Sequence, residues 1–223
     1  MRGILLDIEG TTTPITFVYD VLFPFARARV AAYVVNANTS DLRREYEEDK
    51  RKGNNPPDWS TDPVPYIHWL MDQDRKSTAL KTIQGEIWRE GYGSGELHGE
   101  VFDDVPPALE RWHDKGVDVR IFSSGSILAQ RLLFSTTAAG DLTPLLHGYF
   151  DTTTGPKNEQ ASYRHIANAF GLSPSQILFV SDVTPELDAA RSAGMGTLLC
   201  VRQGNHPQPP HTHGEITTFA GVS

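Results

Sequence analysis

The sequence predicts an α/β fold, a doubly wound parallel sheet with an inserted helical domain. Three observations predict it. Short apolar runs recur, each ending in a small polar loop: Ile4-Leu5-Leu6 before Asp7, residues 117–122 before Ser123, and residues 177–180 before Ser181. Helical spacing fills the stretches between the later runs, and alternation of that kind favours parallel pairing through right-handed crossovers. Between Thr13 and Val105 the alternation stops and helical patterns follow one another without convincing strands.

The elements follow in order. Residues 4–7 form the first strand, bounded by the turn at Gly10. The insertion carries helical patterns over residues 17–35, 42–50, 64–71 and 81–92, with Gly53-Asn54-Asn55-Pro56-Pro57 as its clearest loop. Trp59, Trp69, Trp88, Phe17 and Tyr19 read as its apolar core, with one aromatic facing the cleft. Strands resume at residues 117–122, 149–151, 177–180 and 197–201. After Val201 the chain, rich in proline and carrying His206, His211 and His213, reads as a mobile loop; without neighbouring carboxylates or cysteines these histidines are not read as a metal site. The domain division is residues 1–15 and 100–223 for the core and 16–99 for the helical cap.

In open α/β sheets ligands sit beyond the carboxyl ends of the strands, so the residues there carry the functional reading. Asp7 and Glu9 are two carboxylates two residues apart, and like charges so close call for a hard divalent cation, Mg²⁺ by default. Ser123-Ser124-Gly125-Ser126 offers hydroxyls and backbone N–H groups at a helix start, a natural phosphate cradle. Lys157 closes the loop Thr152-Thr153-Thr154-Gly155-Pro156, and Asp182 follows the run 177–180. Taken singly, each has an ordinary structural reading: a turn cap at Asp7, a plain turn at Ser123, a solvated Lys157, and Asp182 or Asp188 capping a helix that has Pro185 in its first turn. Taken together they compose a phosphoryl-transfer site. The insertion following the carboxylate loop then reads as a lid that excludes water and contacts the non-phosphate end of a substrate, or as a packing subdomain without motion.

Bulk properties narrow the class. The chain has 223 residues, 39% apolar and 22% charged, enough for a substantial core. A net charge of −8 argues against nucleic acid as partner. No run reaches the roughly 18 apolar residues of a membrane span, which argues against a membrane partner. Asp7 lies so near Met1 that removal of a targeting segment would cut the first strand, and a cytoplasmic location is expected. Cys200 is the one cysteine and reads as an inert buried thiol. The mixed charge run over residues 41–52 reads as a solvated helix face.

With these residues in place the chain resembles the haloacid dehalogenase superfamily, whose four motifs are matched in order by Asp7, Ser123, Lys157 and Asp182. The resemblance is closer to one branch. Asp7-Ile8-Glu9-Gly10-Thr11-Thr12, Leu22-Phe23-Pro24, Glu90-Gly91-Tyr92, Gly95-Glu96-Leu97, the stretch from Val101 to Pro106, and Ser181-Asp182-Val183 are similar to the enolase-phosphatases of methionine salvage. Glu9 stands where most superfamily phosphatases carry Asp, a substitution typical of that branch.

The resemblance implies a Rossmann-like core, one Mg²⁺ per subunit and a monomer acting on a small phosphorylated diketone. It implies that Asp7 attacks phosphorus, that Asp7, Asp182 and the Glu9 carbonyl hold the metal, that Ser123, Ser124 and Lys157 bind the phosphate, and that Glu9 moves the proton. It further implies enolisation of 2,3-diketo-5-methylthiopentyl-1-phosphate before dephosphorylation to the acireductone 1,2-dihydroxy-3-keto-5-methylthiopentene. The competing readings are a generic phosphatase without enolisation and a phospho-accepting receiver module, whose phosphorylated Asp lies well into the chain rather than ending the first strand.

Overall fold

The computed structural model describes residues 1–75 and 77–222. Two compact units divide the chain, Met1–Val18 with His98–Ser223, and Tyr19–Leu97. Strand β1 (Gly3–Leu6) is buried at every residue, as its unbroken apolar pattern requires of a strand covered on both faces. A π-helical turn at Phe17–Leu22 leads into the second unit and its helices α1 (Phe23–Val34), α2 (Ser40–Arg51), α3 (Val64–Asp72) and α4 (Thr78–Ser94). The helix anticipated over residues 17–35 is present, its first turns π-helical and the remainder α-helical. Pro24 fixes where the regular part begins, because in the first turn its missing N–H leaves no bond unmade.

Helix α2 is the charged run. Its outer face pairs Arg44 with Asp41 and Lys52 with Glu48, while Leu42, Tyr46 and Asp49 turn inward. Asp49 is satisfied in the interior by Tyr66 Oη, Asn54 Nδ2 and Arg75 Nη2, each 2.7 Å away. Tyr46, Trp59 and Tyr66 pack as one aromatic cluster, Trp69 stacks on Tyr66, and Trp88 stacks on Phe23. Tyr19 corrects the sequence reading: it is 53% exposed and meets Phe23 edge-on instead of joining the core.

The first unit continues through α5 (Val105–Asp114), β2 (Asp118–Phe122), α6 (Ile127–Ser135), β3 (Gly148–Phe150), α7 (Gln160–Phe170), β4 (Ile177–Ser181), α8 (Thr184–Ser192), β5 (Gly196–Cys200) and β6 (Gly214–Ile216). All neighbouring strands pair in parallel, in the order β3-β2-β1-β4-β5-β6. The chain thus winds outward from β1 on one side and returns to β4 on the other, which opens a crevice at the carboxyl ends of β1 and β4. Register keeps those ends level, with Leu6 opposite both Ile121 and Val180. Val105, Ala108, Leu109 and Trp112 give α5 an apolar stripe one turn apart, and Tyr163, Ile166, Ala167 and Phe170 do the same for α7. Among the described residues no helix is long and apolar enough to cross a membrane.

The segment after Val201 is held down, contrary to the mobile loop read from its prolines. Its β6 adds a sixth strand beside β5, and Phe219 and Val222 are buried, the former against Trp112 at 5.6 Å. Asp104 is the polar anchor: it accepts from Phe219 N (2.6 Å) and Thr218 Oγ1 (3.0 Å) and pairs with Arg202 (3.0 Å). Burial opposes the Asp104 charge, but these donors override it and hold the carboxyl below its usual range. Two of the three histidines serve packing: His213 lies between Thr197 and Asp188, and His211 stacks on it within 3.5 Å of Glu215.

Replacing Asp104 by Ala should cost about 3–5 kcal/mol, because the buried Arg202 guanidinium loses its counter-charge. Urea unfolding measures this. A loss below about 1 kcal/mol, the range of an exposed pair, would mean that apolar burial alone retains the segment.

Candidate active site

Asp7 is the first residue beyond β1, and its backbone N–H still donates to Val180 O across the crevice (3.0 Å). Its side chain is buried. Oδ1 accepts from Ile8 N (2.8 Å) and lies 2.6 Å from Lys157 Nζ, while Oδ2 lies 3.1 Å from the Ser181 hydroxyl. The following loop folds back on itself: the N–H groups of Thr11, Thr12 and Thr13 all converge on Ile8 O, and Gly10 N donates to Thr13 O. Thr12 Oγ1 donates to Asp7 O at 3.0 Å, tying the loop to the strand end. Gly10 has φ +68, and a Cβ there would stand 2.3 Å from Asp182 Oδ2, so glycine is required both by conformation and by space.

Lys157 reaches this point from the loop after β3. Its backbone carbonyl accepts from Tyr163 Oη (2.7 Å), and Ser162 Oγ holds the preceding Pro156 carbonyl (2.7 Å). The ammonium, 8% exposed, sits between Asp7 Oδ1 and Glu186 Oε2, the latter 2.7 Å away. Burial opposes its charge, but the two carboxylates override burial and raise its pKa above the usual value.

Asp182 follows β4 and faces the same group. Burial, reinforced by the charge of Asp7, pushes its carboxyl up to about 8; the same causes push Glu186 up to about 7. Neither Asp182 nor Asp188 caps α8. Gln208 does so from the far segment, accepting from Thr184 N at 2.9 Å, while Asp188 pairs with Arg191 and His213.

Ser123 lies one residue past β2, which neighbours β1, and is buried with its N–H on Phe150 O. Its Oγ accepts from Gly125 N (3.1 Å), and Ser126 Oγ caps α6 through Ala129 N. Ser124 and Glu9 are half-buried in their loops. Strand order therefore assembles Asp7, Lys157 and Asp182 at the crevice, with Ser123 at the end of the adjoining strand.

Four further side chains belong to this arrangement. Glu186 and Ser181 complete the network around Lys157 and Asp7, the hydroxyl lying 3.0 Å from Glu186 Oε2 and 3.1 Å from Asp7 Oδ2. Gln130 Nε2 donates to both Gly125 O and Phe150 O, fixing the Ser123 loop to β3. Asn205 Nδ2 donates to Gly10 O. Asp182, Arg202, Asn205, His206, Gln208 and His211 also line a cavity of about 270 Å³. Cys200 is buried beneath the carboxylate loop, its thiol pushed up to about 12 by burial, in keeping with an inert role.

Buried carboxylates opposed by an ammonium at a topological switch point, beside a loop of hydroxyls, form an arrangement suited to phosphoryl transfer. The haloacid dehalogenase-like hydrolase family matches residues 1–194. An enolase-phosphatase E1 of Synechococcus elongatus is 53% identical over 214 residues, covering 91% of this chain and 89% of the relative. One from Pseudomonas fluorescens is 44% identical over 223 residues, covering 100% and 97%. Among solved structures, the UTR4 protein of Saccharomyces cerevisiae superposes with a TM-score of 0.81 at 33% identity, covering 99% of both chains. Together with the site geometry, these likenesses place the chain in the haloacid dehalogenase-like hydrolases, within the enolase-phosphatase E1 family.

Proposed function

We propose that the chain converts 2,3-diketo-5-methylthiopentyl-1-phosphate into the acireductone 1,2-dihydroxy-3-keto-5-methylthiopentene and phosphate, as an enolase-phosphatase of methionine salvage. The observation that carries the phosphatase half is the contact of Lys157 with Asp7 at the end of β1, beside Asp182. A carboxylate placed there is a nucleophile with its counter-charge already in position. The enolase half rests on Glu9 and on the identity to the enolase-phosphatase relatives.

The donor set fits a hard divalent cation. Asp7, Asp182 and Glu186 offer oxygen only, and the upward pKa of Asp182 and Glu186 registers an excess of buried carboxylate that a cation would relieve. The side chains of Asp7 and Asp182 and the carbonyl of Glu9 would hold Mg²⁺. When bound, the ion offsets the charge of the phosphate and polarises a substrate carbonyl.

The residues then divide the work. An Asp7 oxygen attacks phosphorus, the P–O bond to the ester oxygen breaks, and Glu9 gives that oxygen a proton. Water next attacks the aspartyl-phosphate, Glu9 takes the proton back, and Asp7 is restored. Lys157 stays charged throughout, stabilising the phosphate oxygens together with Ser123 and the Ser124 N–H. The helical unit over residues 19–97 is the candidate for the cap that the family resemblance implies. Enolisation precedes these steps: a base takes a proton from the phosphorylated carbon, the electron pair forms the C=C bond, and the neighbouring carbonyl oxygen gains a proton to give the enol; Glu9, longer by one methylene than the usual Asp, is the candidate base that carries the proton from carbon to oxygen.

Supplying the diketo phosphate with Mg²⁺ should yield acireductone absorbance and phosphate together. Phosphate without acireductone would reduce the chain to a general phosphatase. Asp7→Asn should abolish both while leaving the fold intact, and full-rate hydrolysis by that variant would remove the covalent step.

Glu9→Asp should divide the two reactions. Withdrawing the carboxylate by about an ångström can cost on the order of a hundredfold in a positioned proton transfer, so enolisation should fall further than cleavage of a simple phosphate ester. Equal losses in both would confine Glu9 to phosphoryl transfer.

Asp182→Asn should stabilise the metal-free protein while impairing turnover. The native carboxyl titrates near 8 and the unfolded one near its ordinary acidic value, so the native state binds the extra proton and wild-type stability falls as pH rises between them. The amide variant lacks that loss. Its advantage should be small near pH 4, grow up to about pH 8, and appear as roughly 2–4 °C in Tm per kcal/mol relieved. A Tm difference that does not change with pH would show that Asp182 is not repelled in the metal-free site.

A further inference from the structure

The far segment of the chain reaches back to the loop that carries Glu9. Asn205 Nδ2 donates to Gly10 O (2.9 Å) and to Cys200 O (3.1 Å). Arg202 donates to Thr11 O through both Nε (3.3 Å) and Nη2 (3.2 Å), and to Thr217 O through Nη1 (2.8 Å). Its guanidinium is itself fixed, buried and paired with Asp104. Two successive carbonyls of the carboxylate loop are therefore held from residues some two hundred positions later, Asn205 lying 195 residues beyond Gly10.

The preceding peptide is set as a consequence. Gly10 N donates to Thr13 O at 2.8 Å. In a trans peptide the carbonyl points opposite its N–H, so the Glu9 carbonyl is turned away from the loop interior. The two peptides that follow, whose carbonyls are those of Gly10 and Thr11, are the ones that Asn205 and Arg202 hold. Asn205 also stands where it can sense the neighbouring carboxylate: a Cβ on Gly10 would lie 2.9 Å from Asn205 Oδ1 and 2.3 Å from Asp182 Oδ2. The amide, the glycine and Asp182 thus share one tight corner.

We propose that Asn205, seconded by Arg202, is a positioning residue that presents the Glu9 carbonyl to the cation site. This deepens the reading above, in which that carbonyl is a ligand. Both residues lie outside residues 1–194 matched by the general hydrolase family, whereas the Pseudomonas fluorescens relative aligns with the whole chain.

Calorimetric titration of Mg²⁺ into the wild type and Asn205→Ala, without substrate, tests the proposal. Partners that orient metal ligands are worth about 10–100-fold in affinity, so the Kd for Mg²⁺ should rise by that factor while unfolding stays cooperative. Turnover of the diketo phosphate by the variant should recover as Mg²⁺ is raised. An unchanged Kd, with only a lowered Tm, would make Asn205 a structural strut and overturn the proposal. If Asn205→Ala does not fold, Asn205→Ser carries the same titration, its hydroxyl being too short to span both carbonyls. Wild-type protein that binds Mg²⁺ yet yields no acireductone would defeat the substrate reading alone, and the comparison of Kd values would still decide the clamp.

Discussion

One buried ammonium sets the terms on which this chain can fold around its site. Lys157 has almost no access to water, so its charge is tolerable only where Asp7 and Glu186 both meet it. Those three residues come from the end of β1, the loop after β3 and the first turn of α8, and both carboxylates must arrive within hydrogen-bond distance of the ammonium. An ammonium stranded there would leave a penalty of several kcal/mol, so the convergence is enforced by energy as well as by strand order. Tyr163 then restricts the backbone of Lys157, which keeps the head group from swinging out to solvent.

The same arrangement is deliberately unbalanced. Asp182 joins Asp7 and Glu186, and the ammonium does not neutralise all three, as the upward displacement of Asp182 and Glu186 records. Local discord of this sort is characteristic of functional sites and must be compensated elsewhere. The compensation here is a rigid surround: the level strand ends, the folded-back loop at Ile8–Thr13, and the far segment anchored on Asp104.

Asp7, Lys157 and Asp182 could be read from the sequence because each stands at the end of an apolar run or in the loop beyond it, where a parallel sheet exposes side chains to a ligand. Glu186 could not. An acidic residue in the first turn of a helix has an ordinary reason to be there, the helix dipole, and nothing in its spacing announces the contact with Lys157. Arg202 and Asn205 were hidden more completely, since their contacts with the carboxylate loop are to backbone carbonyls that no side-chain pattern encodes. The three-residue β6 was masked by prolines and too short for any periodicity. Tyr19 misled in the other direction: aromatic character promised burial, but the π-helical turn leaves its ring exposed.

The position of the helical unit in the chain has a consequence for synthesis. Gly3 pairs opposite Asp118 and Ile177, while Tyr19–Leu97 is a single unbroken stretch. At roughly 5–20 residues per second, the ribosome releases β1 on the order of ten seconds before β2 can reach it. During that interval the intervening unit can fold from its own nearby contacts, replacing much of a flexible connection whose closure would otherwise oppose pairing. The strand that later becomes the centre of the sheet is meanwhile an unpaired apolar edge, open to chaperones or to other nascent chains, and Gly3–Leu6 is the segment where protection during translation matters most.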